Sequence, residues 1–226
     1  MTTGCVPAVV FDLDGTLADT ATDVQRALNR ALGSDDLPPI DISTVRLMIG
    51  GGPRLLVSRA LQKLGADKGQ YLIDRLTDVF YDEYLRQEDV ESSLFDGAKT
   101  CLEQLKSAGT RIGLCSNKPD ELCRKLVSEL GVASYFDVIQ GSGTGLPRKP
   151  DPAPLLRTIE RLGTLPTATL YIGDSETDVL TARAAGVPVV LVSYGYTARP
   201  AAELGADRVY DSLADITGPA PIAISA

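Results

Sequence analysis

The sequence predicts an α/β fold: a doubly wound parallel sheet interrupted by an all-helical insert. Three observations predict it. Short, almost continuously apolar runs end in polar residues, as strands buried on both faces do. Segments with apolar residues at helical spacing separate those runs. One stretch, residues 21–90, breaks the alternation and carries helix patterns only.

The first strand is read at Pro7–Asp12 (PAVVFD). The insert follows, with three helical stripes: Val24, Ala27, Leu28, Ala31 and Leu32; Leu55, Leu56, Ala60, Leu61 and Leu64; Leu72, Leu76, Val79, Phe80 and Tyr84. Beyond it, Ala98, Cys101, Leu102 and Leu105 mark a helix that stops before Gly109, and Arg111–Ser116 reads as the next strand. Pro119, a good first-turn residue, opens a helix carrying Leu122, Leu126 and Leu130 up to Gly131. Strand Phe136–Gln140 leads to a helix with Leu155, Leu156, Ile159 and Leu162, ended by Gly163. Strand Thr169–Asp174, a helix with Val179, Ala182 and Ala185, strand Pro188–Ser193 and a short strand Arg208–Asp211 complete the pattern. The expected division is a core from residues 1–20 and 91–226 and a helical insert from 21–90. The tail Gly218-Pro219-Ala220-Pro221 reads as frayed.

A chain of 226 residues, 44% hydrophobic, can bury a large core. Its net charge of -8 argues against general affinity for nucleic acid or anionic membranes. No apolar run approaches the roughly 20 residues that span a bilayer. The start lacks a basic n-region, and two aspartates stand where a signal peptide needs apolar residues. A cytoplasmic protein is expected, as monomer or homodimer. Cys5, Cys101, Cys115 and Cys123 form no C-x-x-C pair and read as buried free thiols. The absence of histidine excludes Ser-His-Asp and Cys-His catalysis, phospho-histidine chemistry and His-ligated metals. Proton transfer near neutral pH then falls to Asp, Glu, Lys, Tyr, Cys or water.

Four polar signals sit at the carboxyl ends of the expected strands, where open parallel sheets bind ligands. In Asp12-Leu13-Asp14-Gly15-Thr16 two carboxylates stand two residues apart before a turn glycine. One can attack phosphorus while the other moves a proton, and a divalent cation relieves their repulsion. Oxygen-only ligands suit magnesium. The plainer reading is a solvated turn. Ser116-Asn117-Lys118-Pro119 offers a hydroxyl and free amides to a phosphate, or is an ordinary helix cap. Arg148-Lys149-Pro150-Asp151-Pro152 holds a cation between prolines, and spacing alone leaves open which of Arg148 and Lys149 points inward. Asp174 and Asp178 in Gly173-Asp174-Ser175-Glu176-Thr177-Asp178 lie one helical turn apart and serve a cation or cap a helix. Each plain reading stands alone, but together they would require four coincidences at consecutive strand ends. A nucleophile, a proton carrier, a hydroxyl, a cation and metal carboxylates are what phosphoryl transfer needs. Two glycine-rich stretches carry less. Gly141-Ser142-Gly143-Thr144-Gly145 reads as a flexible loop delivering Lys149. Gly50-Gly51-Gly52-Pro53-Arg54 is either a helix–helix turn or a substrate-facing loop, with Arg54 or the amides near Gly51 meeting a substrate carboxylate.

The set as a whole resembles the haloacid dehalogenase superfamily of phosphatases. Asp12 to Leu17 looks like its first motif, Ser116 its second, Lys149 its third and Gly173 to Asp178 its fourth, in matching order across nearly the whole chain. Thr20 and the segment from Gly50 to Leu64 resemble the phosphoglycolate phosphatase branch more than the phosphoglucomutase branch. The resemblance implies a Rossmann-like core with the insert as an α-helical cap. It implies Asp12 as nucleophile and Asp14 as acid and then base. It implies magnesium on the Asp12 carboxylate, the Asp14 carbonyl and Asp174, with Asp178 beside it, and Ser116 and Lys149 on the phosphoryl oxygens; Asn117 is expected among the substrate-binding residues. The expected substrate is a small phosphorylated metabolite, 2-phosphoglycolate first, with sugar phosphates and pyrophosphate as alternatives. A mutase keeps the site but moves phosphate within a sugar. A phosphonatase needs a cap lysine, for which only Lys63 and Lys68 are available. A non-enzymatic phospho-accepting receiver uses similar groups but does not need the insert.

Overall fold

A computed structural model describes residues 7–66 and 69–216. Cys5, Lys68 and the 218–221 tail lie outside the described residues. The elements run β1 (Ala8–Phe11), β2 (Ala18–Asp19), α1 (Ala21–Gly33), α2 (Ile42–Arg46), α3 (Pro53–Leu64), α4 (Gln70–Leu85), β3 (Ser93–Leu94), α5 (Ala98–Ser107), β4 (Arg111–Pro119), α6 (Asp120–Glu129), β5 (Val138–Ser142), α7 (Ala153–Leu162), β6 (Thr169–Gly173), α8 (Glu176–Ala185), β7 (Val189–Val192) and β8 (Arg208–Tyr210). Six strands form one sheet in the order β5-β4-β1-β6-β7-β8. Every neighbouring pair is parallel.

The sheet is wound on both faces because its strands are apolar on both. In β1, Val9 and Phe11 join a cluster with Cys101, Leu102, Leu126 and Val127, from α5 and α6. Ala8 and Val10 point the other way, into a cluster with Leu155 and Ile159 of α7 and Ala182 of α8. The chain leaves β1 in two directions, first to β4 and β5, later to β6, β7 and β8. Phe11 is in register with Leu114 and with Ile172. Asp12, Ser116 and Asp174, each just past those positions, therefore emerge together at the reversal point of the sheet.

Between β2 and β3 the described residues hold helices and no strand. Leu28, Leu32, Val57, Leu61, Leu76 and Phe80 form a core of their own, which Leu122 of α6 enters from below. The fold is a Rossmann-like sheet with an inserted α-helical cap. Three details differ from the sequence expectation. Leu55 and Leu156, counted within apolar stripes, are 41% and 39% exposed. Each adjoins the residue that faces the core, Leu56 or Leu155, and a step of one residue turns the side chain about 100° round the helix. Helix α2 was not expected, because it buries Val45 alone; Asp41 caps it by accepting from the Thr44 amide at 2.9 Å. The ribbon β2–β3, paired as Ala18↔Leu94 and Asp19↔Ser93, carries both crossings between the layers and is too short to show a period.

Cys101, Cys115 and Cys123 are buried and free. Burial pushes the Cys101 and Cys115 thiols up to about 12, which leaves them protonated and unreactive. Among the described residues no helix is long and apolar enough to cross a membrane.

Both crossings are clasped by one buried carboxylate. Asp23 of α1 accepts from the Ser92 amide (2.8 Å), the Ser92 hydroxyl (2.5 Å) and the Glu91 amide (3.1 Å). Asp23→Ala strands these donors and is expected to cost about 3 kcal/mol. Urea unfolding measures this; a loss below about 1 kcal/mol would contradict the clasp.

Candidate active site

The first motif is a turn folded back on itself. Leu13 O accepts from the amides of Leu17 (3.0 Å) and Ala18 (3.1 Å), and Gly15 takes φ 83°. Glycine is required there twice over: the dihedral favours it, and a Cβ would stand 2.5 Å from Asp174 Oδ2. Asp12 follows β1, its amide donating to Ile172 O at 2.9 Å. One of its carboxylate oxygens, Oδ2, lies 3.0 Å from Lys149 Nζ, and the other, Oδ1, is buried with no hydrogen-bond partner.

Lys149 points inward and Arg148 stays exposed, with its guanidinium beside Gly52 of the cap. Lys149 Nζ also reaches Asp178 Oδ1 at 2.7 Å and the Tyr171 hydroxyl at 2.8 Å. Its peptide is bracketed by Asn117, whose Oδ1 accepts from Lys149 N (2.8 Å) and whose Nδ2 donates to Lys149 O (3.0 Å). Nδ2 also donates to Gly50 O of the cap at 2.9 Å. The glycine-rich loop before Lys149 is anchored at its start: Gly141 N donates to Asp120 Oδ1 at 2.9 Å, and Ser142 Oγ to Asn117 O at 2.9 Å.

The two fourth-motif acids divide their work. Asp178 Oδ2 accepts from the amides of Asp174 (3.2 Å) and Ser175 (3.1 Å) and from Ser175 Oγ (2.7 Å), which caps α8, while Oδ1 holds Lys149. Asp174 accepts from Thr16 Oγ1 at 3.1 Å and from the Tyr196 amide at 2.7 Å. Asp14 Oδ1 accepts from Thr20 Oγ1 (2.7 Å) and from Lys118 Nζ (3.0 Å). Ser116 is buried beside them, its hydroxyl accepting from the Lys118 amide at 3.3 Å.

Four carboxylates thus face two ammonium groups, an excess of negative charge in a buried place. Burial pushes Asp12 up to about 6, against the pull of Lys149 and with added repulsion from Asp178 and Asp14. Burial, then Asp178 and Asp12, push Asp174 well above the carboxylate range. Asp178 is buried too, but Lys149 and the Ser175 hydroxyl hold it below that range. Carboxylate oxygens of Asp12, Asp174 and Asp178 lie within 4.8 Å of one another. Asp178 is tied to the Lys149 ammonium and to three donors, whereas Asp174 accepts one neutral donor on each oxygen, so the orphaned Oδ1 of Asp12 and the Asp174 carboxylate are the groups that could hold a hard divalent cation.

Above this floor lies a cavity of about 40 Å³ lined by Asp12, Asp14, Ser116, Asn117 and Lys118, with apolar walls from the cap. Gly50, Gly52 and Pro53 of the cap loop line it. Gly51 and Arg54, expected to face substrate, do not. Arg54 is turned away: its Nε donates to Asp74 of α4 at 3.0 Å, in an exposed pair.

Comparison with known proteins agrees with this geometry. Residues 9–192 match the haloacid dehalogenase-like hydrolase family. The chain is 42% identical over 213 residues to the phosphoglycolate phosphatase of Rhodospirillum rubrum, covering 92% of this chain and 88% of that one. It is 39% identical to that of Caulobacter vibrioides, with the same coverage. Among solved structures, a predicted phosphoglycolate phosphatase from Haemophilus somnus 129PT superposes with a TM-score of 0.86 at 28% identity, over 95% of this chain and 97% of the other. The chain belongs to the haloacid dehalogenase-like hydrolase family. Within that family it is a phosphoric monoester hydrolase, which removes the receiver reading.

Sequence reasoning named Asp12, Asp14, Ser116, Asn117, Lys149, Asp174 and Asp178, and the fold brings all of them together. It missed Lys118, Tyr171 and Tyr196. A signal existed for Lys118: β4 runs on to Pro119, not to Ser116. The register against β5 shifts between Cys115 and Pro119, and in that irregular stretch Ser116 and Lys118 both reach the cavity. The tyrosines sit in apolar strand and loop contexts that give no such sign.

Cation binding should depend on pH. The folded value of Asp12 lies above its ordinary one, so this group favours the cation-free fold at low pH, and that contribution is lost as pH rises through about 6. A cation held by ionised Asp12 and Asp174 restores it. The rise in melting temperature on adding a divalent cation should be larger at pH 7.5 than at pH 5.5, with affinity falling about tenfold per pH unit below 6 for each proton taken up. Equal rises at both pH values would sink this assignment.

Proposed function

We propose that the protein is a magnesium-dependent phosphatase that hydrolyses 2-phosphoglycolate through a phospho-aspartate on Asp12. It acts in the cytoplasm on this small metabolite. The single observation that supports it best is the state of Asp12. Its Oδ2 is tied to a buried lysine, and its Oδ1 is left without a partner at the floor of a small cavity. An acceptor so placed is an uncompensated cost unless a ligand meets it. The named substrate of the relatives supplies the choice of ester.

In the first step Asp12 attacks phosphorus, the bond from phosphorus to the ester oxygen breaks, and Asp14 gives its proton to the departing alcohol. In the second, water attacks the same phosphorus, Asp14 takes the proton, and the bond to Asp12 breaks to free phosphate. Two in-line displacements replace one difficult hydrolysis. Magnesium, held by the Asp12 carboxylate, the Asp14 carbonyl and Asp174, would spread the phosphoryl charge. Lys149, Ser116 and the Asn117 segment hold the phosphoryl oxygens, and Asp178 positions Lys149. The catalytic core is the chain before Ala21 and after Val90, and residues 21–90 form the cap that shields the site from water.

Asp12→Asn should lower phosphate release by about a thousandfold or more, since an amide is a poor nucleophile, with the circular dichroism spectrum unchanged. Near-normal release by this variant would end the proposal. Asp14→Asn should slow esters of poor leaving groups by about a hundredfold or more, and p-nitrophenyl phosphate much less. Equal losses on both would remove Asp14 from the acid role. A screen of phosphorylated metabolites ranked by kcat/KM tests the choice of substrate.

A further inference from the structure

We propose that Lys118 is the specificity residue, pairing with a carboxylate carried on the carbon next to the ester oxygen. The inference rests on the phosphatase reading above and adds which esters the site takes. Among the described residues that line the cavity, Lys118 alone is cationic. The walls are Val24, Ile49, Pro53, Leu56, Phe80 and Leu122, which offer a charged substrate nothing. A carboxylate entering such a place needs a partner within hydrogen-bond reach. Lys149 does not line the cavity; it is held by Asp12 and Asp178 and, in the reading above, serves the phosphoryl oxygens. Arg54 is outside, paired with Asp74.

The lysine is built into position. It comes from the end of β4, its side chain is 5% exposed, and its ammonium sits 4.3 Å from the centroid of the Tyr84 ring on α4. Burial opposes its charge most strongly, but Asp14, Tyr84 and Cys123 together outweigh burial and keep the ammonium protonated throughout the neutral range. An ammonium has three donors. Asp14 Oδ1 takes one at 3.0 Å and the ring face approaches the group, which leaves capacity for a further anion.

Distance then limits the substrate. The group that would hold the carboxylate and the group that would serve the ester oxygen are 3.0 Å apart. A carboxylate one carbon from the ester oxygen is close enough for both to be engaged at once.

The test compares kcat/KM for 2-phosphoglycolate with that for isobutyl phosphate, which has the same heavy-atom reach but no charge beyond the ester. The wild type should prefer 2-phosphoglycolate by about thirtyfold or more, the worth of a charge-assisted pair. Lys118→Met should reduce the ratio to about threefold or less, Lys118→Arg should recover part of it, and Arg54→Ala should leave it intact. Thermal melting verifies that each variant is folded. Lys118→Met lowering both substrates equally would assign the lysine to Asp14 alone and overturn the inference, as would loss of the ratio in Arg54→Ala. If Lys118→Met does not fold, the wild-type ratio and Lys118→Arg decide. A wild type that cleaves both esters without preference overturns the inference and leaves the phosphatase standing. One that cleaves neither ester defeats the reading beneath it.

Discussion

Burying a lysine against two carboxylates removes three charges from water at once, and the site is arranged to offset that cost. Lys149 Nζ meets Asp12, Asp178 and the Tyr171 hydroxyl, all within 3.0 Å. Each partner is held in turn. Asp178 is fixed by three donors at the start of α8, Tyr171 stands in the middle of β6, and Asp12 is pinned by its amide to Ile172. The lysine backbone is held on both sides by the Asn117 amide group. Removing one member of such a network strands the rest, which is far more costly than never having built it. Among the described residues, the Asp12 Oδ1 is the one buried side-chain oxygen or nitrogen left without a partner.

That arrangement requires backbone to come very close to carboxylate, and glycine makes it possible. A Cβ at Gly173 would stand 2.5 Å from Asp178 Cβ, and one at Gly195 would stand 2.1 Å from Asp174 Cβ. With Gly15 they form a sleeve around the two acids that no larger residue could enter. Strand register does the remainder. Because β1 pairs with β4 on one side and β6 on the other, loops distant in sequence open at one level.

The α/β alternation, the helical insert and most of the floor of the site were legible because each leaves a local mark. Apolar runs end in acids at Asp12 and Asp174, and helices stop at Gly163 and Gly186, both in the left-handed conformation that ends a helix. What was not legible depends on tertiary direction. Whether Arg148 or Lys149 points inward is decided by Asn117, 32 residues away. Arg54 pairs with Asp74 on the next helix, a partner that sequence spacing does not reveal. Lys118 was hidden by the assumption that β4 ends at its first hydroxyl. The ribbon β2–β3 is two residues per strand, below the length at which alternation can be seen.

The contacts between cap and sheet reuse the groups of the floor. Asn117 Nδ2 serves Gly50 O of the cap and Lys149 O of the core with the same nitrogen. Lys118 touches Asp14 below and Tyr84 of the cap beside it. Tyr196, whose amide holds Asp174, accepts from the amides of Thr20 and Ala21 at the start of α1 and donates to Asp19, which Arg46 of the cap also grips. A shift of the cap against the sheet would therefore break bonds made by atoms that orient Lys149, Asp14 and Asp174. In this chain the same few side chains carry both the cap contacts and the setting of these groups.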